Sequence, residues 1–228
     1  MQHREGVRKG SKTCLGNQRL LLLGAGAFAS ELADLIGEMP GYSISAVVES
    51  LDRSKAGERL EGLPIVWIDD IGKYVDSHVG ICALGTTRRA LFIEQVSARG
   101  LHFVTLVHPT AQVSSTSTLG RGTLASRGSI VAAHTKIGPH VVINRGCLIG
   151  HHVQIGAFST ISPGANIAGN TRIGAAVYIG MGAIILNGIH IGDHSVIGAG
   201  SVVTHDVPDH VQVVGVPARI TKENIEGL

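Results

Sequence analysis

The chain has 228 residues, of which 44% are hydrophobic and only 4% are aromatic, and it contains 31 glycines. This much apolar side chain can form a core, so the composition excludes a disordered chain and fits one or two domains. A formal net charge of +2 gives no reason to expect nucleic acid or an anionic membrane surface as a partner.

The cysteine pattern indicates a reducing compartment. Cys14, Cys82 and Cys147 are widely spaced and odd in number, and no two of them form a CxxC pair. Free thiols of this kind are typical of the cytoplasm, which we predict as the location. No run of about 18 apolar residues occurs, so no membrane-spanning helix is predicted.

Residues 1–18 are predicted to be a flexible, polar extension. The stretch RKGSKTCLGNQRLLLLGAGAFAS also has the basic lead, apolar patch and Ala-x-Ala ending of a secretory signal. However, Gly24 and Gly26 interrupt the patch, and SELADLIGEM continues with helical spacing. This order favours a strand, a glycine turn and a helix.

Residues 19–106 alternate between strand-like and helix-like segments. The segments LLLLGAG, SISAVVES, LPIVWIDD and GICALG have the apolar character of short strands. Helical patterns follow the first and the last of them, the second over TRRALFIEQVSARG, and FVTLVHP then runs outward. Alternating strands and helices predict a small parallel, Rossmann-like α/β domain.

Residues 107–220 show a period of six. Every sixth residue from Val113 to Val203 is Ile, Val, Leu or, once, Ala125. This hexapeptide repeat predicts a parallel β-helix in which each hexapeptide makes one side and one corner, and three make a coil. About five stacked coils follow, and residues 221–228 are left as a C-terminal tail.

The six-residue register predicts where the two adjacent histidines of CLIGHHVQIG lie in the β-helix. Ile149 belongs to the six-residue series, so His151 and His152 lie at the next corner with their side chains outside the core. Positions one coil apart differ by 18, so Gly169 lies above His151 and His134 lies below His152.

Three roles are open for this pair. The first is that both are solvent-exposed corner residues. The second is a metal site with His134, although no carboxylate or cysteine completes a ligand set. Alternatively, a neutral histidine can act as a general base at neutral pH.

The repeats resemble a known family. Residues 108–220, with the ending IGAGSVVTHDVPDHVQVVGVPARI, are similar to the hexapeptide-repeat, left-handed β-helix acyltransferases. With the α/β half, residues 20–220 resemble the bacterial sugar acyltransferases. That group includes the bacillosamine-pathway and perosamine N-acetyltransferases and the sialic acid O-acetyltransferases. The resemblance implies acetyl-CoA as co-substrate, a nucleotide-linked sugar as acceptor, no metal, and a homotrimer with active sites between neighbouring β-helices.

The resemblance also implies roles for single residues. His151 matches the family's catalytic histidine, and His152 stands where the family usually has an acidic partner. Gly169 matches a glycine whose backbone N–H meets the thioester carbonyl. Thr160 stands where the bacillosamine-type enzymes have a second histidine near the thioester, and Asn144 matches an asparagine near the substrate. Positions along the pantetheine and phosphates of CoA are Gly180, Met181, Gly182, Ala199 and Arg219.

The glycine turn GAGAFA permits two interpretations. It resembles a G-x-G-x-x-G/A turn after a strand, and Glu49 stands where a dinucleotide site has its ribose-binding acid. Residues 20–105 supply only half of such a site, however. The resemblance implies instead that this domain holds the nucleotide of the sugar substrate through Gly26, Ala27, Phe28, Glu49, Ser50, Gly85 and Thr86.

The predicted function is N-acetylation of a nucleotide-linked 4-amino deoxysugar, by direct transfer with His151 as base. O-acetylation of a sugar hydroxyl is one alternative, and a non-catalytic, trimeric nucleotide-sugar-binding module is another. A hexapeptide carbonic anhydrase would use His134, His151 and His152 across a trimer interface, but it leaves the α/β half unexplained. The sugar, the base and the acyl length stay open.

Overall fold

The protein is described by a computed structural model that covers residues 17–228. Most of the predicted N-terminal extension, including Cys14, lies outside these residues, and the first strand begins at Gln18. In residues 17–228 no helix is long and apolar enough to cross a membrane.

The N-terminal half is a six-stranded α/β sheet, as predicted. Its strands are β1 Gln18–Leu23, β2 Tyr42–Glu49, β3 Arg59–Leu60, β4 Leu63–Trp67, β5 Val79–Cys82 and β6 His102–Phe103. Its helices are α1 Ala27–Gly37 and α2 Ala90–Ser97, with 3-10 turns at Arg53–Lys55, Ile68–Lys73 and Thr87–Arg89. The strand order is β3-β4-β2-β1-β5-β6, and only the β3–β4 pair is antiparallel.

The centre of this sheet is apolar on both sides. Residues 20–23 of β1 are fully buried, because α1 covers one face of the sheet and α2 the other. A continuous aliphatic run is typical of a central parallel strand. The carboxyl ends of β1, β2 and β5 therefore meet at one edge, where ligands of such sheets usually bind.

The C-terminal half is a parallel β-helix with three faces. Face 1 contains β7 Leu106–Val107, β10 Leu124–Ala125, β13 Val142–Ile143, β16 Thr160–Ile161, β19 Tyr178–Ile179, β22 Val196–Ile197, β24 Gln212–Gly215 and β25 Ala218–Lys222. Face 2 contains β8 Gln112–Val113, β11 Ile130–Val131, β14 Leu148–Ile149, β17 Asn166–Ile167, β20 Ile184–Ile185 and β23 Val202–Val203. Face 3 contains β9 Thr118–Leu119, β12 Lys136–Ile137, β15 Gln154–Ile155, β18 Arg172–Ile173 and β21 His190–Ile191.

The six-residue series forms the interior, as predicted. Every member from Ala125 to Val203 is at most 4% exposed, and pairs such as Ile149 with Ile167 stand one coil apart. Fully burying one such aliphatic side chain contributes about 1.5–3 kcal/mol before the entropy of ordering is subtracted. The repeated layer of isoleucines therefore fixes the register of every corner.

The three faces differ on the outside. The N-terminal half covers the start of face 1, where Leu124 and Val142 are buried although they point outward from the coil. Face 2 presents Ile130, Leu148 and Ile184, which are 39%, 43% and 42% exposed. Face 3 carries polar residues at the same positions, so face 2 is the apolar outer surface.

A buried arginine joins the two halves. The guanidinium of Arg89, only 1% exposed, donates to the carbonyl oxygen of His140 at 2.8 and 3.1 Å and to that of Ser159 at 2.8 Å. It also donates to Thr160 Oγ1 at 2.8 Å. Burial lowers the pKa of Arg89 to about 10, so the group keeps its charge at neutral pH. Carbonyl oxygens, not a carboxylate, thus stabilise this cation.

The ring of His140 completes this contact as a neutral group. It stacks on Phe158 with 5.5 Å between ring centroids and meets Phe103 edge-on at 4.7 Å. Burial, with the nearby charges of Arg121 and Arg89, lowers the pKa of His140 to about 4. A protonated ring beside the buried guanidinium is thereby avoided at neutral pH.

Ion pairs fix the direction of α1 along the β-helix. The carboxylates of Glu31 and Asp34 in α1 and of Glu38, which caps its C-terminus, lie on the side of the helix that faces two arginines of the β-helix. Glu31 bonds Arg145, whereas Asp34 and Glu38 bond Arg127, which lies one coil lower. The hydrogen bond from Arg127 holds the pKa of Glu38 below its usual value. The N-terminal end of α1 therefore points towards the later coils.

We expect Arg89→Met to lower the free energy of unfolding by about 2–4 kcal/mol, because several buried acceptors lose their donor. Urea unfolding at pH 7.5 measures the change. The matched control is Arg88→Met, whose side chain is exposed and which should change stability by less than about 0.5 kcal/mol. Equal losses in the two variants would contradict a specific role for Arg89.

Candidate active site

Two adjacent histidines occupy the corner between face 2 and face 3. His151 Nδ1 lies 3.1 Å from His152 Nδ1, and the two rings are nearly perpendicular at 84°. Both side chains are exposed, as the register predicted. Because Nδ1 of His151 is engaged by its neighbour, Nε2 is the nitrogen left free to meet a ligand.

Gly169 lies directly against the His151 ring, one coil above it. A Cβ built on Gly169 would lie 2.7 Å from Cε1 and 2.8 Å from Nε2 of His151, so the ring can keep this position only beside glycine. Within residues 17–228 the backbone N–H of Gly169 has no hydrogen-bond acceptor. Gly169 thus lies next to His151, at the place that the 18-residue register predicts.

His134 stacks below His152, with 4.9 Å between ring centroids. Both residues have a φ near +58°, in the left-handed region, where histidine is more common than most non-glycine residues. In the part of the chain that the structure describes, no group of three or more His, Cys, Asp or Glu side chains could hold a metal ion.

Five of the other predicted positions share the corner between face 1 and face 2: Asn144, Gly180, Met181, Gly182 and Ala199. Met181 is 58% exposed, and a Cβ on Gly180 would lie 2.6 Å from the backbone nitrogen of Ala199. This corner borders face 2 on one side and the corner of His151 borders it on the other. One chain therefore does not bring the two sets together.

The structure does not place Thr160 near His151. Thr160 lies on face 1 and is 2% exposed, and its hydroxyl accepts from Arg89 and donates to the carbonyl of Gly85 at 3.0 Å. A residue nine positions from His151 is half a coil away, on a different side of the β-helix. In this structure the Thr160 hydroxyl is engaged in the contact between the two halves, and its assignment to the thioester stays a prediction.

Arg219 lies in β25, at the end of the β-helix and away from His151. Its side chain is exposed and donates to the carbonyl of Ala218 at 2.9 Å. It lines a cavity of about 270 Å³ together with His205 and Asp206. The guanidinium is thus free to meet an anionic group at this end.

A second cavity, of about 400 Å³, lies at the carboxyl edge of the N-terminal sheet. Predicted residues that line it are Gly26, Glu49, Ser50 and Thr86. The other three predicted positions are next to lining residues in the sequence but do not line the cavity: Ala27, Phe28 and Gly85. Phe28 instead packs on the apolar cluster under α1. One oxygen of Glu49 accepts from the backbone of Ser50 and Leu51 at 2.8 Å, so this carboxylate shapes the rim.

The lining residues that the sequence did not identify include Leu51, Lys55, Arg88, Leu91 and Gln95. Leu51 and Leu91 are 90% and 65% exposed, and Lys55 and Arg88 add two cations beside the N-terminus of α1. Amide groups at a helix start and nearby cations favour an anionic ligand. These residues follow the carboxyl ends of β2 and β5, where parallel sheets usually bind ligands, and that position was the signal that could have identified them.

Gly169→Ala should displace the His151 ring, because the added Cβ overlaps the space that the imidazole occupies. We expect the nitrogen and proton signals of His151 in NMR spectra to shift, with the hydrogen bond to His152 lost. Gly72→Ala is a matched control, since a Cβ there meets nothing within 4 Å. Unchanged His151 signals in Gly169→Ala would contradict the packing.

Comparison with known proteins identifies the family of the chain. The family described as bacterial transferase hexapeptide (six repeats) matches residues 134–169 and 170–205. PerB from Caulobacter crescentus, solved with CoA and GDP-perosamine, is 28% identical with a TM-score of 0.81, covering 93% of this chain and 100% of that chain.

Two other structures are equally similar. The acetyltransferase domain of PglB from Neisseria gonorrhoeae FA1090, solved with acetyl coenzyme A, is 30% identical with a TM-score of 0.82, covering 90% of this chain and 100% of that chain. WeeI from Acinetobacter baumannii AYE is 28% identical, with the same TM-score and coverage. A search of curated proteins found no match. On its repeats and this full-length likeness, the chain belongs to the hexapeptide-repeat family of sugar acyltransferases.

Proposed function

We propose that the protein transfers an acetyl group from acetyl-CoA to the amino group of a nucleotide-linked amino deoxysugar. The observation that carries this proposal is the contact of His151 with Gly169. A histidine with a free Nε2 and a backbone N–H that has no acceptor among the described residues lie on adjacent coils. Acyl transfer needs this pair of groups, a base and a donor for the developing oxyanion.

The reaction proceeds by direct attack. The sugar amine forms a bond to the thioester carbonyl carbon, and His151 Nε2 takes the proton that the nitrogen loses. The Gly169 N–H stabilises the negative oxygen of the tetrahedral intermediate. The carbon–sulfur bond then breaks, and the proton on His151 passes to the leaving thiolate, which regenerates the neutral imidazole.

No residue of the chain needs to carry the acetyl group. Cys147 is four residues from His151 and is the nearest thiol in sequence, but it is fully buried and its Sγ lies 3.2 Å from the carbonyl oxygen of Ser162. Burial raises the pKa of Cys147 to about 11, which keeps it protonated. A thiolate nucleophile is therefore not available at this position.

His152 takes the place of an acidic partner by supplying a lone pair. For Nε2 of His151 to act as a base, its Nδ1 carries the proton and donates to Nδ1 of His152. His152 must then be neutral, with its own proton on Nε2. When His151 becomes an imidazolium, the same bond persists and orients the ring, but without the negative charge of a carboxylate.

The substrates are inferred from similar proteins and from the two cavities. PerB was solved with CoA and GDP-perosamine, and PglB with acetyl coenzyme A. The cavity with Lys55 and Arg88 suits the diphosphate of a sugar nucleotide. The exposed leucines Leu51 and Leu91 offer apolar contact to a base.

A homotrimer would complete the site. Exposed apolar residues on face 2, Ile130, Leu148 and Ile184, suit burial against another copy. The corner of Met181 and Ala199 and the corner of His151 flank this face. Packing copies through face 2 would thus bring CoA-binding residues of one chain beside the base of another.

His151→Ala should lower kcat by roughly 10²- to 10⁴-fold with acetyl-CoA and a nucleotide-linked amino sugar. His152→Gly should lower kcat about tenfold, whereas His152→Asp should retain most activity, because a carboxylate also accepts from Nδ1. Both replacements tolerate the left-handed backbone at this position.

Release of CoA thiol measures these rates for amino sugars and for hydroxyl-only analogues. The control is His134→Gly, which has the same backbone conformation one coil lower and no bond to His151. Near-normal turnover in His151→Ala would refute the assigned base. Turnover only with hydroxyl acceptors would show O-acetylation instead.

The double variant Leu148→Lys/Ile184→Lys should shift the protein from trimer to monomer, because two charges would be buried in the interface. It should also lose activity, and sedimentation velocity would show the change in mass. Gln154→Lys, at the equivalent outward position of face 3, is the control and should leave the trimer intact. A wild-type monomer with full activity would overturn this part of the proposal.

A further inference from the structure

The last residues of the chain run back along the corner between face 3 and face 1. The backbone N–H of Ile225 donates to the carbonyl of His210 at 3.0 Å, and that of Gly227 donates to the carbonyl of His194 at 2.9 Å. The ring of His210 also meets the carbonyl of Ile225 at 2.9 Å. We call residues 225–228 the C-terminal strap.

Gly227 is packed too closely for any other residue. It is buried with φ at +68°, and a Cβ there would lie 2.3 Å from Thr87 Oγ1 and 3.0 Å from the carbonyl oxygen of Ala176. The strap therefore passes between the β-helix and the N-terminal half and touches both.

The strap ends on the loop after β5. Thr87, only 2% exposed, donates its backbone N–H to the carbonyl oxygen of Leu228 at 2.8 Å and accepts from the Leu228 N–H at 2.9 Å through Oγ1. The hydroxyl of Thr86 contacts the same oxygen. Four hydrogen bonds thus join Leu228 to these two threonines.

This loop is part of the cavity wall and has two anchors. Thr86 and Arg88 line the cavity at the carboxyl edge of the sheet. On one side Arg89 is bound by the carbonyl oxygens of His140 and Ser159 in the β-helix, and on the other Thr87 is bound by the strap. Arg88 lies between the anchored residues Thr87 and Arg89, and Thr86 directly precedes Thr87.

We infer that the C-terminal strap is a positioning element for the acceptor-binding cavity. By holding Thr87, it sets where Thr86 and Arg88 stand relative to the glycine turn, and so controls affinity for the nucleotide-linked sugar. It has no contact with His151 or Gly169. The identity of the ligand rests on the proposed function, whereas the anchoring of the loop does not.

Two variants test the strap. Gly227→Ala inserts a Cβ against Thr87, and Thr87→Val keeps the shape of the side chain but removes its hydroxyl. In each, KM for the nucleotide-linked amino sugar should rise about tenfold, the effect of losing one or two buried hydrogen bonds. KM for acetyl-CoA and kcat should change less than about twofold, because the strap does not touch the reacting groups.

Hydrogen exchange of residues 85–91 provides a readout that does not depend on activity. Exchange should be faster in both variants than in wild type, and binding of GDP, UDP or dTDP by calorimetry should weaken in parallel. Gly128→Ala is the control: Gly128 has φ at +64°, so it has similar backbone strain, but a Cβ there meets nothing within 4 Å.

Unchanged exchange in Gly227→Ala overturns the inference, and so does faster exchange with unaltered KM and nucleotide binding. An equal rise in both KM values would show a general structural defect and would also overturn it. If the wild type transfers no acetyl group, the proposed function fails. The strap is then judged on exchange and nucleotide binding alone.

Discussion

The stacking of coils at an interval of 18 residues decides which groups of this protein can meet. Each isoleucine layer holds the next, so a corner residue has only two neighbours in its column. At one corner this rule places the His151 ring against Gly169, and a Cβ there would overlap the ring. The arrangement of base and N–H donor is therefore a property of the packed core, although both groups lie at the surface.

The architecture and half of the site could be predicted for the same reason. A period of six is local information, and it specified the β-helix, the corner of His151 and the glycine above it. The register does not place Thr160 in the column of His151, because nine residues is half a coil. The burial of Thr160 beside Gly85 depends on how the N-terminal half packs on the β-helix, which the period does not specify.

Arg89 shows why the rest was not predictable. In TTRRA it is one of two adjacent arginines, and nothing local tells the buried one from the exposed one. Its burial depends on the carbonyl oxygens of His140 and Ser159, which are 51 and 70 residues away in the sequence. The cavity residues Leu51 and Leu91 follow the same logic, since their meeting depends on how α2 and the loop after β2 pack.

The hydrogen bonds of Arg89 also limit which N-terminal halves can be combined with this β-helix. The β-helix offers open carbonyl oxygens to its partner, and the α/β half offers a cation that water no longer hydrates. If the halves were separated, water would have to replace the hydrogen bonds between the guanidinium and these carbonyl oxygens. An exchange of N-terminal halves between related enzymes would succeed only if the incoming half also carried an arginine at this point, so the two halves are expected to be inherited together.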